Sequence, residues 1–174
     1  MLAGTDFKIL GLADIGCNED IVEDADTTEG NALIKARYVK EKYGYDCFAD
    51  DTGLMIDALG GAPGVYSARF AGEDCDSERN IDKVLHLMEG IDNREARFVT
   101  VIALCMGDEV TTFEGEVRGK ILTSRRGSDG FGYDSIFEPA DGNGLSFAEM
   151  THEQKNAISH RGRAVKKLVA YLVA

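Results

Sequence analysis

Residues 96–106 constrain the fold more than any other stretch. Their centre, Phe98-Val-Thr-Val-Ile-Ala-Leu104, is apolar and rich in β-branched side chains, so it is strongly strand-like. Gly107-Asp108 follows, and Glu109 to Val117 forms a second strand-like run. Two such runs joined by a two-residue glycine turn specify an antiparallel hairpin. Gly119-Lys-Ile-Leu122 continues the second run in extended form.

Helical patterns lie on both sides of this hairpin. Thr28 to Tyr43 places Ala32, Leu33, Ala36 and Val39 on one stripe, as a helix packed on a core requires. Ser77 to Met88 does the same with Ile81, Val84, Leu85 and Met88, and Ser159 to Ala174 with Ala164, Val165, Leu168, Val169 and Leu172. Thr151-x-x-Gln154 fits a capping box. Phe7 to Leu10, Asp46 to Ala49 and Leu54 to Leu59 are short strand candidates, and Gly60 to Gly64 is a turn cluster. Residues 11–26 are acidic and loop-like, and 123–135 form a loop rich in Gly, Ser and Asp. A helix before the hairpin and helices after it predict an α/β fold with a mixed central sheet and flanking helices. The length of 174 residues suits one domain over residues 1–174, with its own hydrophobic core.

Charge narrows the partners. The net charge is −12 and the pI about 4.6, which disfavours a nucleic-acid polymer. An anionic small ligand needs only a local basic pocket. Cys17, Cys47, Cys75 and Cys105 are widely spaced with no C-x-x-C pair, which argues against a zinc site and for a reduced, cytoplasmic protein. No signal peptide and no membrane-spanning apolar run is expected.

Four constellations could carry chemistry. In Phe48-Ala-Asp-Asp-Thr-Gly-Leu54 two adjacent acids end an apolar strand. Such like charges need a cation or a donor network; the same residues also suit a plain turn. Glu23-Asp24-Ala-Asp26 precedes the first helix. It offers oxygen ligands for Mg²⁺ or simply the acidic charge that helix N-termini favour. Arg125 to Asp134 is glycine-rich around Phe131 and Tyr133. It is either a loop with one buried aromatic or a site where Phe131 stacks on a base and Asp134 accepts from it. Lys155 to Arg161 opens the last helix with three basic side chains, at the end where the helix dipole favours anions rather than cations.

Together these segments closely resemble the inosine triphosphate pyrophosphatase family. The matching stretches are Glu23, Asn31-Ala-Leu-Ile-Lys-Ala-Arg37, Ala49-Asp-Asp-Thr-Gly-Leu54, Gly61-Ala-Pro-Gly-Val-Tyr-Ser-Ala-Arg69, Gly130-Phe-Gly-Tyr-Asp134, and Lys155 with Ser159-His-Arg-Gly162. The resemblance implies two lobes around a nucleotide cleft. It also implies hydrolysis of ITP, dITP or XTP to the monophosphate and pyrophosphate, with Mg²⁺ as cofactor and a homodimer as the assembly. Asp51 would be the general base and a metal ligand, Glu23 the second metal ligand and Asp50 their support. Thr52 would touch substrate, Phe131 would stack on the purine, and Gly132, Tyr133 and Asp134 would shape its pocket. Lys155 would bind phosphate, while His160 and Arg161 would meet the base or its 6-keto oxygen.

The chain departs from the pattern twice. Ser135 stands where Pro is usual. The family's opening strand and Ser/Thr-x-Asn-x-x-Lys phosphate loop are not found, and Met1 to Phe7 reads as the start of the following helix or its connector. The expectation is an N-terminally shortened domain with weak or no turnover. Two further readings remain open: a purine nucleotide binder without catalysis, and a related pyrophosphatase for modified pyrimidine nucleotides.

Overall fold

The computed structural model describes residues 2–174. Its frame is the expected hairpin. Strand β3 (Glu95–Met106) and strand β4 (Glu109–Ile121) pair antiparallel across twelve positions, from Glu95↔Lys120 to Met106↔Glu109. Gly107, at φ 58°, makes the turn, a backbone conformation that glycine adopts without steric cost. On the other side β3 pairs antiparallel with β1 (Cys47–Ile56) over that strand's whole length. Two short strands finish the sheet, β2 (Pro63–Gly64) beside β1 and β5 (Phe137–Pro139) beside β4, in the order β2-β1-β3-β4-β5.

The α/β class is as the sequence predicts, but every described strand pair is antiparallel where a mixed sheet was expected. Parallel pairs need crossover connections, and here turns and loops return the chain antiparallel. Residues 46–49 and 54–59 are not two strands. One strand runs from Cys47 straight through Asp50 and Asp51 to Ile56, and a short 3-10 turn takes Asp57–Leu59. The full-length ladder with β3 overrides the turn-like composition of Asp-Asp-Thr-Gly. Phe7 to Leu10 forms no strand, since no neighbouring edge pairs with it.

Helices cover both faces. Helix α1 (Thr28–Tyr43) starts at the cap Thr27, whose hydroxyl accepts from the Gly30 N–H, and ends at Gly44 in the left-handed conformation. It buries Ala32 and Ala36 against Val99, Val101, Ala103 and Cys105 of β3. The opposite face carries helix α2 (Ser77–Leu87) and helix α4 (His160–Leu172). There Ile81, Val84 and Met88 pack with Leu54, Ile56, Phe98 and Phe137, each worth about 1.5–3 kcal/mol of burial. The capping box forms as predicted, with Thr151 accepting from the Gln154 N–H and Gln154 from the Thr151 N–H. It opens a separate helix, α3 (His152–Ile158), so the basic cluster is divided. Lys155 lies on α3, and Ser159 caps α4 just ahead of His160 and Arg161.

Gly115 explains how closely α4 lies on the sheet. A Cβ there would collide with the His160 carbonyl and the Ala164 backbone nitrogen. Neither can swing aside, so Gly115→Ala should destabilise the chain by about 3 kcal/mol, at the upper end for overpacking. Chemical denaturation measures it, and a loss under about 1 kcal/mol would show that α4 can shift.

Candidate active site

Side chains alternate along a strand, and this divides Asp50 from Asp51. Asp51 projects toward α1 and Asp50 toward α4. The two acids are therefore neighbours in sequence with separate partners.

On the α1 side, the Lys35 ammonium lies 2.5 Å from Glu23 Oε1 and 3.7 Å from Asp51 Oδ1. It also donates to the Asp50 carbonyl oxygen at 2.5 Å. Burial pushes the Asp51 carboxyl above the usual carboxylate range. Lys35 counters that, Glu23 reinforces it, and the Asn31 amide again counters it. Asp51 Oδ2 is buried without a hydrogen-bond partner. Such an oxygen is costly unless something polar or cationic meets it.

This arrangement fits a hard divalent cation. Among the described residues no group of three or more His, Cys, Asp and Glu is spaced to hold a metal. Mg²⁺, however, binds through one or two carboxylates and takes its other ligands from water and phosphate. Glu23 and Asp51 supply two carboxylates, and Asp51 Oδ2 supplies the free lone pairs.

On the α4 side is a cleft of about 380 Å³. Thr52, Leu54, Ser67, Phe98, Phe131 and Arg161 are among the residues that line it. Phe131 is 69% exposed, an unusual state for a large apolar ring. The Lys155 ammonium lies 4.5 Å from its centroid and pairs with Asp134 Oδ2 at 2.5 Å. The same Asp134 oxygen accepts from the Phe131 N–H at 3.0 Å. Asp134 is therefore spoken for by the loop itself, and Lys155 approaches the cleft from that pair. Gly130 and Gly132 both have positive φ, 81° and 57°, which lets the loop fold Phe131 outward. Tyr133 is buried, and its hydroxyl donates to the Ser67 carbonyl at 2.6 Å. It braces the pocket wall.

Arg161 donates from Nε and Nη2 to Asp50 Oδ2 at 3.1 and 2.9 Å, and Nη2 lies 3.5 Å from the Thr52 hydroxyl. Thr52 in turn pairs with the buried Thr100 hydroxyl at 2.7 Å. Asp50 thus holds the guanidinium at the cleft rather than joining Glu23. His160 stacks on Phe98 with centroids 4.7 Å apart. Its Nδ1 is buried without a partner. Burial pushes its pKa down to about 3, helped by the Arg161, Lys155 and Arg163 charges.

That depressed pKa has a sign. Between about pH 6.5 and 3 the unfolded chain takes up a proton that native His160 refuses. Stability from this group is complete above pH 6.5 and is lost as pH falls, by about 1.4 kcal/mol per unit. His160→Gln should therefore make acid unfolding shallower than in the parent between pH 6.5 and 4, followed by circular dichroism. Equal slopes would mean that His160 is protonated in the native state.

The two regions meet at the free edge of β1. Strand β2 pairs only with Leu54 and Met55, which leaves the edge beside Asp50 to Thr52 without a strand partner. A larger apolar groove of about 570 Å³ approaches the same edge and touches Lys35 and Asp50.

Residues 1–171 match the sequence profile of the Ham1 family. The chain belongs to the Ham1 family. It is 52% identical over 166 residues to the dITP/XTP pyrophosphatase of Flavobacterium johnsoniae, covering 95% of this chain and 86% of that protein. It is 53% identical over 165 residues to the dITP/XTP pyrophosphatase of Christiangramia forsetii, with the same coverage. Among solved structures, the Staphylococcus aureus Ham1 protein superposes with a TM-score of 0.91 at 38% identity, over 96% of this chain and 87% of that one.

Sequence grounds alone assign no role to Lys35 and Asn31. Their i, i+4 spacing directly after the acidic segment was the available signal. Its meaning depends on which acid faces α1.

Proposed function

We propose that residues 1–174 act as one nucleoside-triphosphate pyrophosphatase domain, hydrolysing ITP, dITP and XTP to the monophosphate and pyrophosphate. The observation that carries this is a half-buried Asp51 carboxylate with one buried, unpartnered oxygen, next in β1 to Thr52, which lines the Phe131–Arg161 cleft. Names of the relatives point to the same reaction.

The purine would lie against Phe131, where ring stacking is insensitive to substituents. Discrimination then falls to polar groups. Asp50 Oδ2 accepts from the Nε–Nη2 edge of the Arg161 guanidinium, and Nη1 on the other side can donate to a ligand. A 6-keto oxygen accepts from it, whereas the 6-amino group of adenine leaves the donor unpaired. Lys155 and Lys35 supply positive charge toward the phosphates. Asp51 would accept a proton from the attacking water while the bond between the α and β phosphates breaks and pyrophosphate leaves. Mg²⁺ held by Glu23 and Asp51 would offset charge on the phosphates.

The same reading includes a homodimer in the cytoplasm. Four free cysteines support a reducing compartment, and no described helix is long and apolar enough to cross a membrane. Light scattering at micromolar concentration tests the dimer.

The decisive experiment is pyrophosphate release from ITP, XTP, ATP and a methylated pyrimidine triphosphate, with Mg²⁺ and enzyme in excess so that a weak rate is still read. ITP and XTP should exceed ATP by at least about tenfold. The methylated pyrimidine turning over fastest would favour the pyrimidine reading. Bound ITP with no pyrophosphate released would leave a nucleotide binder.

A further inference from the structure

We propose that Asn31 is a positioning residue that sets the spacing of the Glu23 and Asp51 carboxylates for a divalent cation. It rests on the reading that these two carboxylates hold the metal.

Asn31 is only 2% exposed, in the first turns of α1. Its Oδ1 accepts from the Ala25 N–H at 2.9 Å, two residues beyond Glu23. A backbone N–H can be met only by the amide oxygen, so this bond fixes the side-chain orientation. The bond ties the segment just after Glu23 to the N-terminal end of α1. One buried amide thus holds the loop that carries Glu23 against α1, the helix whose Lys35 faces Asp51. Lys35 follows one turn later on the same face of α1 and spans the same two carboxylates.

The loop is seated closely enough for this to matter. A Cβ at Gly30 would come within 2.7 Å of the Ala25 side chain, so the segment after Glu23 rests directly on the helix. Upstream, Glu19 accepts from the Tyr38 and Tyr43 hydroxyls at 2.7 and 2.8 Å and pairs with Lys42. Glu23 therefore lies between two anchors. Of the two, Asn31 holds the chain nearer to Glu23, at Ala25. Groups that orient metal ligands from behind typically set affinity by 10–100-fold.

The test uses Mn²⁺ alone, titrated into the chain and read as free Mn²⁺ by electron paramagnetic resonance. Asn31→Leu keeps the volume and removes the bond to the Ala25 N–H; Asn31→Ser keeps a hydroxyl too short to reach it. Each should weaken Mn²⁺ binding by about tenfold, while inosine monophosphate affinity, set in the Phe131 cleft, changes less than about twofold. Circular dichroism confirms folding, and if the Leu variant is unfolded the Ser variant decides. Glu23→Gln is run alongside. Unchanged Mn²⁺ affinity in the folded Asn31 variants, with binding lost in Glu23→Gln, overturns the role of Asn31 and leaves the metal site standing. Parent-like binding in Glu23→Gln, or no binding by the parent, overturns the two-carboxylate reading and the inference with it. Equal losses of Mn²⁺ and inosine monophosphate binding would show a general structural role and also overturn it.

Discussion

Asp51→Asn should lower the single-turnover rate of pyrophosphate release from ITP by about 10³-fold, within the range for loss of a general base. Asparagine keeps the shape of the side chain but cannot accept the proton of the attacking water. It also removes a charge that burial disfavours. Because native Asp51 has a raised pKa, its ionisation costs stability as pH rises through that value. The variant should therefore melt no lower than the parent at pH 7, and its inosine monophosphate affinity should stay within about threefold. Lost activity in a fully stable protein separates chemistry from folding. A rate within about tenfold of the parent would remove Asp51 from the role of base.

This prediction depends on a fact that local sequence conceals. Asp50-Asp51 looks like one acidic pair at a strand end. In the folded chain it is the middle of a ten-residue strand, and period-2 alternation sends the two carboxylates to opposite faces. Asp50 meets Arg161, 111 residues away, and Asp51 meets the Lys35–Glu23 pair. The ladder with β3 determines this, and a ladder is a property of two segments rather than of either alone.

Features with strong local causes were legible. The β3–β4 hairpin follows from an apolar run and a glycine turn, α1 and α2 from 3.6-residue periodicity, and the box at Thr151 from a four-residue pattern. Phe131, Lys155, His160 and Arg161 do converge on one cleft. Their pairings were not legible. The spacing gives no sign that Lys155 is held by Asp134, which the glycine loop turns inward. Tyr133 lines the cleft, and the bond of its hydroxyl to the Ser67 carbonyl is not visible in the local pattern. Burial and partner choice depend on contacts between segments far apart in the chain, which composition and spacing do not encode.

Lys35→Met tests the electrostatic half of the site and should cost about 10²-fold in rate, the scale for losing one preorganised charged donor. The four-carbon stem is nearly conserved, so packing changes little. What disappears is the charge between Glu23 and Asp51 and the donor to the Asp50 carbonyl. Two acidic groups then face each other with no cation between them, and the desolvated Asp51 is driven further toward its neutral form. The metal-free variant should melt below the parent. Added Mg²⁺ should raise its Tm by more than it raises the parent's, because the ion now supplies compensation that Lys35 otherwise provides. Simple loss of packing would lower Tm equally with and without Mg²⁺. Equal Mg²⁺ shifts in the two proteins, or a rate within about threefold of the parent, would show that Lys35 does not govern the charge of this site.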